Sequence, residues 1–348
     1  MKKKIKVLQV IPKLGYGGAE TGCYDLAHYL PEQGCKSYIA TSGGGLLKFV
    51  NKKKVKVFRL PVHSKNPILI LLNAIIISFI IIAYNINIVH VRSRAPAWSC
   101  LLATKLTFKK LVSTFHGTYN FNSKIKKFYN SIMVRSDLVI AGSNFIFSHI
   151  NENYGKFFLK KERKLLVIFR GINTNYFNPQ KILPIKLDKF SKQHNIDRNK
   201  FIILLPGRLT YWKGQKIFIE AIKLLSEKTD IIPFEAIILG NEQGRNVYRK
   251  QLVDLVLKHR LNKVIKFIDH CEEMPIAYGI SNLVCSCSYE PEAFGRVAVE
   301  AQSMQIPIIA SDIGGSKETI IKDKTGFLYK YLILIRKYFV LSRSLRYF

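Results

Sequence analysis

Acidic residues are what this chain lacks most. It sets 23 Asp and Glu against 55 Lys and Arg over 348 residues, a formal net charge of +32. The deficit is uneven: residues 1–170 hold 28 basic and 6 acidic side chains, and the remainder holds 27 and 17. A basic first half points to an anionic partner, either membrane phospholipid or nucleic acid. Lys, Ile and Asn are abundant throughout, so a purely compositional account of the charge stands level with that reading. Cysteine is sparse too. Cys23, Cys35, Cys100, Cys271, Cys285 and Cys287 form no CxxC pair and no metal-ligand spacing. That argues against a zinc site and fits reduced thiols in the cytosol. There is no internal repeat and no low-complexity tract, and hydrophobic residues at 48% argue against disorder. A secretory leader is not expected. Met1-Lys2-Lys3-Lys4 has the charge of one, but Lys6 interrupts the apolar run and no cleavage site follows. The longest apolar stretch, Ile68 to Ala83, falls short of the roughly 20 residues that span a bilayer, and Asn73 and Ser78 break it. It is expected as a helix buried in an α/β layer, with a helix dipping into a membrane surface as the second reading.

What is present is alternation. The runs at 6–11, 37–41, 55–60, 88–91, 111–114, 138–141 and 166–168 are expected as strands. Helices are expected between them at 19–33, 67–85, 97–107, 125–134 and 145–153. After a polar, proline-bearing stretch the pattern restarts, with strands at 201–205, 234–239, 264–268, 283–286 and 307–310. Helices at 215–225, 247–259, 274–281 and 296–305 separate these. Strands alternating with helices imply parallel sheets covered on both faces. The expectation is therefore α/β: two Rossmann-like, doubly wound domains facing across a cleft. Residues 1–177 would form the first and 201–328 the second, with 178–200 as linker and 329–348 as an atypical tail. Ligands of such sheets bind beyond the carboxyl ends of the strands.

Several segments at strand ends carry chemistry. In Glu292-Ala293-Phe294-Gly295-Arg296-Val297-Ala298-Val299-Glu300, Pro291 and Gly295 place Glu292 on a loop, and a helix begins near Gly295. Two carboxylates then flank the backbone N–H groups of a helix start, which suit a phosphate. Gly207-Arg208-Leu209-Thr210-Tyr211-Trp212-Lys213-Gly214 follows an expected strand directly. Its two cations would neutralise a diphosphate through charge-assisted hydrogen bonds. Gly15-Tyr16-Gly17-Gly18-Ala19-Glu20 lets backbone approach a ligand closely but lacks the GxGxxG spacing of dinucleotide binders. His116 lies in Ser113-Thr114-Phe115-His116-Gly117 at another strand end. Arg92 and Arg94, in Arg92-Ser93-Arg94, could meet a phosphate or carboxylate, or form a basic rim that recognises nothing.

Together these segments resemble the retaining glycosyltransferases of family 4, which have the GT-B fold. The E-x7-E pattern lies at 292–300, GR-x4-KG at 207–214 and GGAE at 17–20, and the likeness runs from residue 5 to about 328. The resemblance implies transfer of a sugar from a nucleoside-diphosphate sugar to a hydroxyl of a cell-envelope glycan or lipid carrier. Arg208 and Lys213 would grip the diphosphate and stabilise it as it leaves, while His116 and Glu292 position the sugar. Glu300 would hold ribose hydroxyls. Phe294, Gly295 and Arg296 would offer backbone N–H groups, and Gly17 and Gly18 would face the donor phosphate. Glu20, Arg92 and Arg94 would meet the acceptor. Arg170-Gly171-Ile172-Asn173 resembles the family's interdomain turn. Phe267-Ile268-Asp269-His270 with Met274-Pro275 resembles the loop that cups the nucleotide base. Retention would follow a front-face route. No metal or cofactor is expected, the nucleotide sugar being a substrate.

The protein would be cytoplasmic, peripheral on the inner face of the cytoplasmic membrane. Nucleic acid is not an expected partner, because basic residues are not interleaved with aromatics on one face. A carbohydrate hydrolase using paired carboxylates and a non-catalytic binder of membrane or anionic polymer remain as alternatives. One departure from the family follows Gly326-Phe327-Leu328. Residues 330–341 contain no acid and no clean helical period, so the end looks shortened and impaired activity is expected.

Overall fold

Strands buried on both faces have no need of polar alternation, and β1 (Lys6–Val10, KVLQV), β2 (Lys36–Thr41, KSYIAT) and the later FIILLP segment show little of it. They belong to two units, divided between Gly171 and Ile172, in a computed structural model that describes residues 4–159, 163–229, 231–242, 244, 246–269 and 271–330. In the first unit, helix α1 (Gly18–Glu32) links β1 to β2. The chain continues through β3 (Val55–Arg59), α2 (Pro67–Ala83), β4 (Ile88–Val91), α3 (Arg94–Leu106) and β5 (Lys110–Phe115). It closes with α4 (Lys124–Asn130), β6 (Leu138–Ala141), α5 (Asn144–Tyr154) and β7 (Lys164–Val167). All seven strands are parallel, in the order β3-β2-β1-β4-β5-β6-β7.

The second unit opens with α6 (Pro184–Gln193) and β8 (Phe201–Pro206), then α7 (Gln215–Ser226), β9 (Phe234–Leu239), α8 (Asn246–Lys258) and β10 (Ile265–Ile268). Next come α9 (Met274–Gly279), β11 (Leu283–Ser286), α10 (Arg296–Ser303), β12 (Ile308–Ser311), α11 (Ser316–Thr319) and β13 (Gly326–Tyr329). Its strand order is β10-β9-β8-β11-β12-β13, again all parallel. Each sheet therefore reverses direction once, between β1 and β4 in the first and between β8 and β11 in the second. Open parallel sheets with such a reversal take their ligands beyond the carboxyl ends of those strands.

Four expectations change. Residues 178–200 are not a linker: α6 lies within them, and Phe177, Phe190 and Ile196 are buried in the second unit's core with Ile202 and Tyr278. The segment looks polar because only one side of a short helix is buried. Helix α3 begins at Arg94 rather than Ala97, since Pro96 in a first turn gives up no helical hydrogen bond. β13, not among the expected strands, pairs with β12. Helix α2 is not buried all round. Asn73, Ala74, Ile77, Ile80 and Ile81 face inward, while Leu71, Leu72, Ile75, Phe79 and Ile82 are exposed. No helix of the described residues is long and apolar enough to cross a membrane. The tail expected at 329–348 lies, from residue 331 on, outside the described residues, as does His270.

If 178–200 belongs to the second unit, Phe190→Ala removes core packing and should lower the stability of that unit by roughly 3 kcal/mol. Urea or thermal melting of the full chain measures it. A linker side chain would leave the transition unmoved.

Candidate functional site

In the second unit the loops after β8 and β11 meet at the crossing point. Lys213, in the 3-10 turn Tyr211–Lys213, places Nζ 2.6 Å from Glu292 Oε1, and both side chains are largely buried. Ser288 Oγ donates to the same carboxylate oxygen at 2.6 Å. Burial pushes the Glu292 carboxyl up, but Lys213, Ser288 and the nearby Arg208 outweigh it and hold the group below its ordinary value. Glu292 is therefore a carboxylate at neutral pH. A buried ion pair is weak evidence for stability, since apolar replacements of equal volume often do as well. This pair, at a strand-end crevice, is better explained by what it can bind.

The backbone that presents these groups is tightly specified. Gly214 adopts φ +74°, and a Cβ there would stand 1.7 Å from the Cys287 carbonyl oxygen, so the β8 loop can lie against the end of β11 only with glycine. Gln215 Nε2 donates to the Arg208 carbonyl at 2.9 Å, and the Tyr289 N–H donates to the Trp212 carbonyl at 2.7 Å. Tyr211 stacks on Tyr289 with ring centroids 5.3 Å apart. On the other side, Glu292 forms a bridge to Gly314, and the Gly315 N–H donates to the Glu292 carbonyl at 2.7 Å. Gly295 is the left-handed residue that starts α10, leaving Arg296 in its first turn. Phe294 is buried beneath the same loop. Glu300, one turn further, accepts from Arg296 Nε at 2.5 Å and from Tyr278 Oη at 2.8 Å. Burial and the Glu300 charge push the Tyr278 phenol well above its usual range, so it stays a donor.

The first unit builds a different site at its own crossing point. Arg92, just past β4, is 6% exposed, and its Nη1 donates to Gln9 Oε1 at 3.2 Å. Its buried Nε has no hydrogen-bond partner among the described residues. Arg170, past β7, donates to the Gly18 carbonyl at the start of α1. A Cβ on Gly22 would lie 2.9 Å from Arg170 Nη2 and 3.0 Å from Arg92 Nη2, so two guanidinium groups converge over the first turns of α1. Glu20 and Asp25 are the acids that offset them at Arg92. The Glu20 carboxylate folds back over Gly17.

His116, past β5, has both ring nitrogens buried and without a partner among the described residues. Burial first, then Arg92, Arg170 and His90, hold its imidazole well below the usual histidine range. His90 donates to or accepts from Thr114 Oγ1 at 2.8 Å and is pushed down to about 3 by burial and Arg92. Arg94 is engaged within the unit, donating to Asn130 Oδ1 at 2.6 Å and lying over the Tyr119 ring at 4.5 Å.

The structure thus joins Arg208, Lys213, Glu292, Phe294, Gly295, Arg296 and Glu300 in one unit. It joins Gly17, Gly18, Glu20, Arg92 and His116 in the other, with Arg94 held aside. Sequence reasoning missed Ser288, Tyr278, Gln9 and the convergence of Arg170 with Arg92 over α1. It also passed over Gly314-Gly315, whose doublet after β12 was a readable sign of close backbone approach.

Residues 187–331 match the family Glycosyl transferases group 1, and residues 16–176 match Glycosyltransferase Family 4. The crystal structure of a glycosyltransferase from Rickettsia africae is 38% identical, with a TM-score of 0.84, covering 99% of this chain and 88% of that one. The Anabaena protein HepE, crystallised with UDP and glucose, is 22% identical with a TM-score of 0.80, covering 99% and 89%, and shows the shared fold. Among curated relatives, the D-inositol 3-phosphate glycosyltransferase of Corynebacterium efficiens is 29% identical over 129 residues, 36% of this chain and 30% of that protein. The chain spans under half the length of the curated relatives it matches.

Held down by burial and by Arg92, with Arg170 adding at His116, His90 and His116 should stay neutral from pH 8 to pH 5, visible as constant imidazole shifts by NMR. Their folded pKa values lie below the unfolded value near 6.5. The unfolded chain therefore takes up protons first as pH falls, and the first unit loses stability below about pH 6.5, by up to ~1.4 kcal/mol per pH unit per histidine. A titration midpoint near 6.5 for either ring would overturn this electrostatic account.

Proposed function

Because the chain belongs to the family 4 glycosyltransferases, we propose that it moves a sugar from a nucleoside-diphosphate sugar to an acceptor hydroxyl with retention at the anomeric carbon. The observation that carries this reading is the buried Lys213–Glu292 pair, 2.6 Å apart with Arg208 beside it, at the crevice of a doubly wound sheet. A diphosphate reaching that loop adds its oxygens to Lys213 and Arg208, two cations that already face one carboxylate. Glu292 then has lone pairs to accept hydroxyls of the donor sugar. Glu300, held by Tyr278 and Arg296, accepts from the ribose. Phe294, Gly295 and Arg296 lend backbone N–H groups at the start of α10.

In the proposed reaction the bond from the anomeric carbon to the diphosphate oxygen breaks. The acceptor oxygen bonds to that carbon on the same face, and its proton passes to the departing phosphate oxygen. Negative charge grows on the diphosphate as it leaves, so Arg208 and Lys213 bind the transition state better than the ground state. His116, kept neutral, offers its imidazole to the transferred sugar as donor or acceptor. Gly17 and Gly18 give close backbone approach, and Glu20 with Arg92 faces the acceptor.

The paired guanidinium groups of Arg92 and Arg170 suit a phosphate or carboxylate on that acceptor. A curated relative named for an inositol phosphate supports a phosphate-bearing acceptor. We take the acceptor to be a cell-envelope glycan or its lipid carrier, met on the inner face of the cytoplasmic membrane.

Purified protein assayed for nucleotide release against UDP-, GDP- and ADP-sugars should turn over one donor class. Lys213→Ala and Arg208→Ala should each lower kcat about 10²–10³-fold, the loss typical of removing one charge-stabilising donor. Lys213→Ala leaves a buried carboxylate unpaired, so Lys213→Met with Glu292→Gln, which removes both charges, separates a folding loss from a chemical one. Unchanged turnover in the folded double variant would remove the assignment.

A further inference from the structure

We propose that the first unit docks on an anionic lipid surface through the outer face of α2, an inference that does not rest on the transfer chemistry. Residues 67–83 contain no charged side chain. Their inner face is buried, yet the outer face is Ile68, Leu71, Leu72, Ile75, Ile76, Phe79 and Ile82, between 39% and 68% exposed. These positions follow the helical period, so they form one continuous stripe. A surface helix ordinarily presents polar residues there, and a contiguous apolar stripe marks an interaction site. The helix is too short to cross a bilayer, which leaves it lying in the interface plane.

The surroundings say what covers the stripe. Helices α2 and α3 both connect parallel strands, so they run side by side toward the amino-terminal edge of the sheet, with Ser99 Oγ donating to the Ile70 carbonyl at 2.9 Å. At the end of α3, Leu106 and Phe108 are exposed, Phe108 at 94%. That sheet edge is lined with lysine. Lys6 lies opposite Lys36, Lys54 and Lys56 flank the start of β3, Lys110 lies opposite Ile88, and Lys164 begins β7. Two of these reach the end of α2 itself: Lys6 Nζ donates to the Tyr84 carbonyl at 2.8 Å and Lys56 Nζ to the Tyr84 hydroxyl at 2.7 Å. Among the described residues, the acids facing this edge are Glu32, paired with Lys54, and Asp137, paired with Lys110. An apolar stripe rimmed by lysine matches the two attractions of an anionic bilayer, acyl chains for the stripe and headgroup phosphates for the rim. A second copy would match the stripe but would press together two surfaces from a segment with 28 basic and 6 acidic residues.

Flotation of the full chain with phosphatidylglycerol-containing vesicles tests this, against phosphatidylcholine vesicles as the uncharged control. The expected result is binding to the anionic vesicles that high salt weakens without abolishing. Ile75→Asp with Phe79→Asp should reduce partitioning about tenfold or more and leave the melting temperature unchanged, because both side chains project outward. Phe79→Trp provides a readout that needs no loss: the added indole fluorescence should be quenched by brominated lipid. Equal binding of wild type and the double aspartate variant, absence of binding to anionic vesicles, or an added signal in the Phe79→Trp variant that brominated lipid leaves unquenched would overturn the proposal. So would a dimer, seen by light scattering, that the same aspartates dissolve.

Discussion

A carboxylate taken out of water must find a cation and a hydrogen-bond donor, and in this protein Glu292 finds both in Lys213 and Ser288. That requirement ties together two loops that leave neighbouring strands of the second sheet. Gly214 allows one loop to touch the end of β11, and the bridge to Gly314 anchors the other. The result is a charged pair fixed by backbone rather than by flexible side chains. In the reaction proposed above, such preorganisation would let the site meet developing charge without rearranging first.

The first unit repeats the second sheet's strand order with one strand more, and has a different electrostatic plan. Two guanidinium groups converge on α1, one of them almost wholly buried and steadied by Gln9. Burial first, and then these charges, keep the nearby imidazoles neutral. Crevices of equivalent topology thus hold a carboxylate paired with lysine in one unit and an excess of positive charge in the other. In the function proposed here the second unit holds the diphosphate, while the first supplies the acceptor contacts and the imidazole of His116. The far edge of the first sheet, lined with lysine and flanked by the bare face of α2, adds a third surface with a different task.

Much of this was legible before any coordinates. Alternating runs of β-branched and helix-forming residues located all but one of the strands, because buried parallel strands have near-continuous apolar sequences. The loops with Arg208, Lys213, Glu292 and His116 stood out because glycine and cations cluster directly after those runs. Helix α6 escaped notice since Phe190 is a lone aromatic among lysines, and its burial depends on Ile196 and Tyr278. The outward face of α2 was read only as the second possibility, a helix dipping into a membrane surface, for a different reason. Periodicity cannot tell an apolar helix covered on all sides from one covered on half, because both are written with the same residues.

The order of strands and helices, the glycine-rich loops at strand ends and the excess of lysine were settled by the chain's linear composition, since each depends on residues close in sequence. That Ser288 and Lys213 share one carboxylate, that Arg92 and Arg170 converge over Gly22, and that α2 keeps an uncovered face were settled only by tertiary structure. These depend on which distant segments become neighbours. Burial and charge pairing are properties of that neighbourhood, and no single segment contains them.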